Sequence, residues 1–183
     1  MASEKFDRQD FFVSLASTAL GNSDFTNEIC NDTLSNQQYL DVSIEFLTLY
    51  LVLLRKHLLS IKNDSSVDDF HDKIVESTIT YLITIYMTDR NSATEVSPRL
   101  LILIKDNCLK RYNNSGEEIF PLPLTMENDW SGKSMLMRTA IRISSIIGKS
   151  HDPTLLIQIA ATISSGLDFL KISKKAQPLL SNK

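Results

Sequence analysis

The stretch from Ser35 to Ile61, SNQQYLDVSIEFLTLYLVLLRKHLLSI, decides the fold class of this chain. Within it Leu40, Ile44, Leu47, Leu51, Leu54, Leu58 and Ile61 recur at alternating spacings of four and three. That is the heptad seam of a helix packed along its length. Phe46, Leu49, Tyr50, Val52, Leu53 and Leu59 add apolar surface on its other sides. A helix apolar on most of its circumference is buried on most sides. Ser35 and Gln38 have the spacing of a capping box, in which each side chain satisfies a free backbone N–H at the helix start. The stretch therefore reads as a central helix over 36–62, with the rest of the chain wrapped around it.

The flanking segments also read as helices. From Ser3 to Leu20 the stripe Phe6, Phe12, Val13, Ala16, Ala19 and Leu20 ends at Gly21, a natural left-handed cap. A short turn capped by Ser23 is expected next, with Phe25 and Ile29 inward. The segment Val67–Met87 is the ambiguous one. Its Ile79, Tyr81, Ile83 and Ile85 alternate with threonines as in a strand. Its length exceeds a normal strand and favours helix. Ser97-Pro98 opens a helix carrying Leu100, Leu101, Ile104, Cys108 and Tyr112 inward, expected to stop at Asn113-Asn114-Ser115-Gly116. Residues 113–130 are then an irregular apolar strap, extended at Phe120-Pro121-Leu122-Pro123-Leu124 because proline disfavours helix in the residue before it. Met135 to Ile147, capped by Gly148, and the helix opened by Asp152-Pro153 form a closing antiparallel hairpin. The expectation is an all-α, compact bundle of about six helices, one domain over 1–176 with a loose tail at 177–183.

Composition narrows the function classes. With 43% apolar residues and only five Gly and five Pro, the chain suits a helical domain with an ordinary core. The net charge of −3 makes nucleic acid an unexpected partner. Charge is split, however. Residues 1–132 carry 11 Lys+Arg against 20 Asp+Glu, and residues 133–183 carry 8 against 2. The longest apolar run, Phe46–Leu54, is too short for a bilayer, so no membrane span is expected. Glu4, Asp7, Arg8 and Asp10 interrupt any export leader at Met1. Cys30 and Cys108 are then expected as buried free thiols in the cytoplasm or nucleus.

No residue pattern carries a reaction. Gly132-Lys133-Ser134 opens a helix like the end of a phosphate-binding loop, but Glu127 stands where that loop needs glycine. Asn128-Asp129-Trp130-Ser131-Gly132-Lys133 resembles the Asn-Trp-Gly-Arg signature of apoptosis-regulating helical bundles. Asp129 and Ser131 split it, and no Trp-containing segment follows the last helix, so no membership is inferred. Asp68-x-x-His71 has the spacing of one half of a carboxylate metal site, with Asp41 and Glu45 the other helical acids of useful spacing. A second acid-x-x-His is absent from the sequence. His57, His71 and His151 lie far apart and outside any metal or nucleophile motif. No catalytic residue, cofactor or metal is assigned.

What remains is recognition. Arg138 and Arg142 share a helix face at i, i+4 with Lys149 near the same side, a candidate surface for an acidic protein partner. Phe120, Leu122 and Leu124 on the strap are the candidate apolar contacts. The expected function is a non-catalytic protein–protein interaction module: an adaptor, regulator or subunit of a larger complex, with a homo-oligomer compatible. The alternative is a helical-bundle ligand-binding protein or enzyme whose site is assembled from distant helices.

Overall fold

The computed structural model describes residues 7–30, 33–90, 97–150 and 152–181. Among these, seven helices form and no strand does. In chain order they are α1 (Arg8–Ile29), α2 (Asn36–Ile61), α3 (Ser65–Arg90), α4 (Pro98–Ile119), α5 (Met135–Ile147), α6 (Pro153–Leu170) and α7 (Ile172–Ser181).

Helix α2 is the axis of the bundle. Every residue from Val42 to Leu54 is buried, and α1, α3, α4, α5 and α7 all pack against this helix. The heptad positions Leu40 through Leu58 are buried, whereas Ile61 stands 48% exposed where the helix leaves the bundle. Both bonds of the Ser35/Gln38 capping box form, and Gln38 Nε2 also donates to the Ile146 carbonyl on α5 at 3.0 Å. One box thus starts α2 and ties it to α5.

Helix α3 settles the strand-or-helix ambiguity for helix. The hydroxyls of Thr78, Thr80, Thr84 and Thr88 each donate to the carbonyl four residues earlier, at 2.7–2.9 Å. A β-branched run that satisfies its polar atoms along its own helix gives up little by being helical.

Three boundaries differ from the sequence expectation, each because tertiary contact outweighs local propensity. First, α1 runs through Gly21 to Ile29 after an Asp7 cap; Ser3 and Phe6 lie outside the described residues. Gly21 interrupts nothing because the turn after it is anchored. Ser23 and Thr26 are buried, and the Ser43 hydroxyl of α2 donates to Ser23 Oγ at 2.8 Å. Phe25, expected inward, is 45% exposed.

Second, α4 does not stop at Asn113 but continues to Ile119, so the strap begins at Phe120. Ser115 and Gly116 are buried against α2, where a Cβ at Gly116 would lie 3.6 Å from Val52. Third, the loose tail expected from residue 177 is instead helix α7 as far as Ser181. Ala176 and Leu179 are fully buried, and Arg8 Nη2 donates to the Leu179 carbonyl at 2.6 Å. The linker residues 91–96, His151 and residues 182–183 lie outside the described residues.

Gly148 caps α5 with φ 85°, a left-handed conformation that glycine adopts at no steric cost. Asp152 then caps α6 through Thr154 N and Leu155 N, and α5 and α6 pack on each other. Among the described residues α6 is the one helix long and apolar enough, by length and composition, to cross a membrane. In the bundle it packs against α1 and α5. Its Gly166 lies against Tyr50, where any Cβ would collide with the phenol hydroxyl.

Candidate functional site

The residues singled out from the sequence divide into an internal group and an exposed one. Arg142 is partly buried. Its Nε donates to Glu45 Oε2 at 2.9 Å and its Nη2 to Glu45 Oε1 at 3.1 Å, a two-pronged contact. Nη2 also donates to Ser115 Oγ at 2.6 Å, and Nη1 pairs with Glu118. Glu45 is 1% exposed and accepts further from Arg111 Nη1 at 3.2 Å and from Ser115 Oγ at 3.0 Å. Arg111 reaches Asp41 at 2.7 Å, and Arg138 bridges Glu118 at 3.1 Å and the Gly132 carbonyl at 2.9 Å. Hydrogen bonding to Glu45 pushes the Arg142 pKa further up.

This network joins α2, α4 and α5 with three arginines and three carboxylates. Its charges cancel. At the candidate partner-binding positions Arg138 and Arg142 the charges are balanced by Glu45 on α2 and Glu118 on α4, while both side chains stay partly exposed. Lys149 is also engaged within the chain, its Nζ donating to the Cys30 carbonyl at 2.7 Å. The shallow cleft of about 290 Å³ over the network is lined by both signs of charge.

The strap is pinned at one end. Phe120 lies under two cations, 4.7 Å from the Arg55 guanidinium carbon and 5.5 Å from Lys56 Nζ. Lys56 Nζ donates to the Leu122 carbonyl at 2.7 Å, and the Pro123 and Leu124 carbonyls accept from Met135 N and Leu136 N. Phe120 and Leu122 are half-buried, while Leu124, Met126 and Trp130 are exposed. Asp129, whose insertion splits the Asn-Trp-Gly-Arg pattern, is a loop cap. It accepts from the backbone of Ser131, Lys133 and Ser134 and from the Ser134 hydroxyl at 2.6 Å. Burial would raise its pKa, and these bonds instead hold the carboxyl well below the usual range.

The metal half-site is turned to other uses. Asp68 pairs with Arg55 at 2.8 Å, and the His71 ring points Nε2 at the Leu51 carbonyl, 3.0 Å away. Because a carbonyl only accepts, that nitrogen carries the proton. Burial pushes the His71 pKa down, so the ring is neutral there. Cys108 is buried, and desolvation pushes its thiol up to about 12. His57 lines a cleft of about 390 Å³ beside Lys171, Lys174 and Asp168. A larger cleft of about 470 Å³ lies between α1 and α6, lined by Asn22, Phe25 and Gln158. Asn22 also donates its amide to the buried Tyr50 hydroxyl, whose pKa burial raises.

The feature that sequence reasoning missed is the first half of α4. Leu100, Leu101, Ile102 and Leu103 are 46%, 37%, 62% and 56% exposed, four consecutive apolar residues facing solvent. Ile104 packs partly against the core, and the fully buried positions of the helix begin at Cys108. The signal was present: five consecutive apolar residues, 100–104, at about 100° per residue surround the helix, so no single packed face accommodates them all. Soluble surfaces rarely keep such a run without a use for it. Comparison of the chain with protein-family models, with curated proteins and with solved structures finds no match.

Proposed function

We infer that the chain is a non-catalytic protein–protein interaction module that docks its partner on the outer face of α4. The observation carrying this reading is the exposed Leu100–Leu103 run on a helix whose second half is firmly seated in the bundle. A few well-packed, desolvated side chains near the centre of a patch carry most of the energy of a protein interface. Charged neighbours on the same helix, Arg99, Asp106 and Lys110, form a polar rim. Arg138, Arg142 and Lys149 already pair with groups of this chain, which favours α4 over α5 as the proposed surface. The two buried thiols favour a reducing compartment, the cytoplasm or nucleus.

Affinity purification from the native cell with the wild type and the Ile102→Asp/Leu103→Asp variant tests the reading. Partners recovered with the wild type should be lost with the variant, while its melting temperature stays within about 2 °C, since exposed substitutions cost little. Equal recovery by both proteins contradicts it. A ligand-binding reading has one observation in its favour: Asn22 both lines the α1–α6 cleft and holds the buried Tyr50 hydroxyl. That cleft is open to solvent and lined mainly by short side chains, so the interaction reading stands first.

A further inference from the structure

The outer face of α4 has a charge pattern that selects one kind of partner. Arg99, Ile102, Leu103 and Asp106 lie at i, i+3, i+4 and i+7, a single stripe, and all four are exposed. The helix presents its opposite side, through Cys108 and Tyr112, to the bundle. Neither Arg99 nor Asp106 makes an ion pair among the described residues, although Lys105 between them pairs with Glu76 on α3 at 2.8 Å. Nor does the helix itself favour Arg99, because a cation in the first turn opposes the positive end of the dipole.

The midpoint of the two charges and the midpoint of the two apolar residues coincide, between Ile102 and Leu103. A two-fold axis through that point sets Ile102 beside Ile102 and Leu103 beside Leu103 of a second copy, one pair on each flank of the stripe, and Arg99 against its Asp106 at both ends at once. A parallel pairing in register instead sets Arg99 on Arg99 and Asp106 on Asp106, like charges that repel. The stripe is therefore complementary to itself in the antiparallel sense. From these observations we propose that the partner of this face is a second copy of the same chain, joined by antiparallel α4–α4 packing about Ile102 and Leu103. The proposal rests on the interaction reading above and deepens it by naming the partner.

The extent of the stripe sets the strength. Arg99 to Asp106 spans about 10 Å of helix, well short of the roughly 800 Å² per partner of a standard stable interface. The dimer is accordingly weak, with a dissociation constant in the range of roughly 10 μM to 1 mM.

Sedimentation equilibrium of the full chain from about 1 μM to about 1 mM, spanning that range, tests this. The average mass should rise from 20.7 kDa toward twice that value. Arg99→Asp alone and Asp106→Arg alone should each weaken the dimer about tenfold, because each replaces two attractions with two repulsions. The double reversal Arg99→Asp/Asp106→Arg should restore it to within about threefold of the wild type, since the pairs reform with their signs exchanged. Circular dichroism of each protein checks that it is folded, and Ile102→Asp provides a second disruption that does not depend on the charges. A mass fixed at 20.7 kDa at the highest concentration overturns the proposal. So does a dimer indifferent to Ile102→Asp, or one that the double reversal fails to restore. A monomeric chain that still loses a cellular partner on Ile102→Asp/Leu103→Asp refutes self-pairing and leaves the interaction reading standing. Loss of neither refutes both.

Discussion

Removing the Glu45 carboxylate should be among the most destabilising single changes at any polar residue of this protein. Glu45 is 1% exposed and receives four hydrogen bonds, two from Arg142, one from Arg111 and one from Ser115. In Glu45→Leu the guanidinium of Arg142 keeps only Glu118 as an acidic partner, in a site where its side chain is 28% exposed. Breaking a buried pair by removing one member costs about 3–5 kcal/mol. The partial exposure of Arg142 and its second carboxylate place this case near 3 kcal/mol. For a chain of this length that is a fall of roughly 6–12 °C in melting temperature.

The network also predicts how to recover that loss. In Glu45→Leu/Arg142→Met the outer pairs survive, Arg111 with Asp41 and Arg138 with Glu118, and no charge is stranded. Replacing both members of a buried pair by apolar side chains is often near neutral, so the double variant should lose only about 1 kcal/mol. Urea unfolding followed by circular dichroism on the wild type, both singles and the double gives the coupling, expected to be at least about 2 kcal/mol. A Glu45→Leu cost under about 1 kcal/mol, or simple additivity of the two singles, would refute the claim that this network holds α2, α4 and α5 together.

Three further outcomes are expected. Leu51→Ala, at a fully buried position on the central helix, should cost about 2–5 kcal/mol in denaturant unfolding; a loss under 0.5 kcal/mol, on that same scale, means the seam is not packed. Gly166→Ala should cost about 1–3 kcal/mol by overpacking, and adding Tyr50→Phe should return part of it because the hydroxyl is the atom in the way. Acidification should destabilise the protein through His71. Its folded pKa is depressed, chiefly by burial and also by Arg55, against opposing pulls from the Leu51 carbonyl, Asp72 and Asp68. The unfolded chain therefore takes up a proton near pH 6.5 that the folded one refuses. Stability is full above that pH and falls below it by at most about 1.4 kcal/mol per unit. A His71→Gln variant whose melting temperature drops as steeply as the wild type's between about pH 7 and pH 5.5 would remove His71 from the explanation.

The parts of the fold legible in the sequence were those whose signal is local. The α2 seam declares itself because apolar residues surround the helix, and Ser35 with Gln38 marks its start within four residues. Gly148 and Asp152-Pro153 likewise mark the turn between α5 and α6. The misread boundaries share one cause. Gly21, the Asn113–Gly116 segment and Pro178 are poor helix formers whose helical state depends on contacts with distant elements: Ser43 under Ser23, Val52 against Gly116, Arg8 on Leu179. The charge network was half legible. The i, i+4 spacing of Arg138 and Arg142 was visible, but their acidic partners lie up to 97 residues away, and no periodicity carries that information. On α4 the apolar run was visible as well. Of that run Leu100 and Leu101 are expected inward with Ile104, Cys108 and Tyr112 but stand exposed, because the rule that apolar residues face the core works in one direction only.

The claim that the outer face of α4 is a docking surface is tested most directly by a photo-crosslinking residue placed at Ile102 in the native cell. Thr80, an exposed position on α3, serves as the control. Irradiation should give a discrete protein adduct at 102 and none at 80, and the adduct should include a second copy of this chain. Equal labelling at the two positions, or no adduct at 102, contradicts the account.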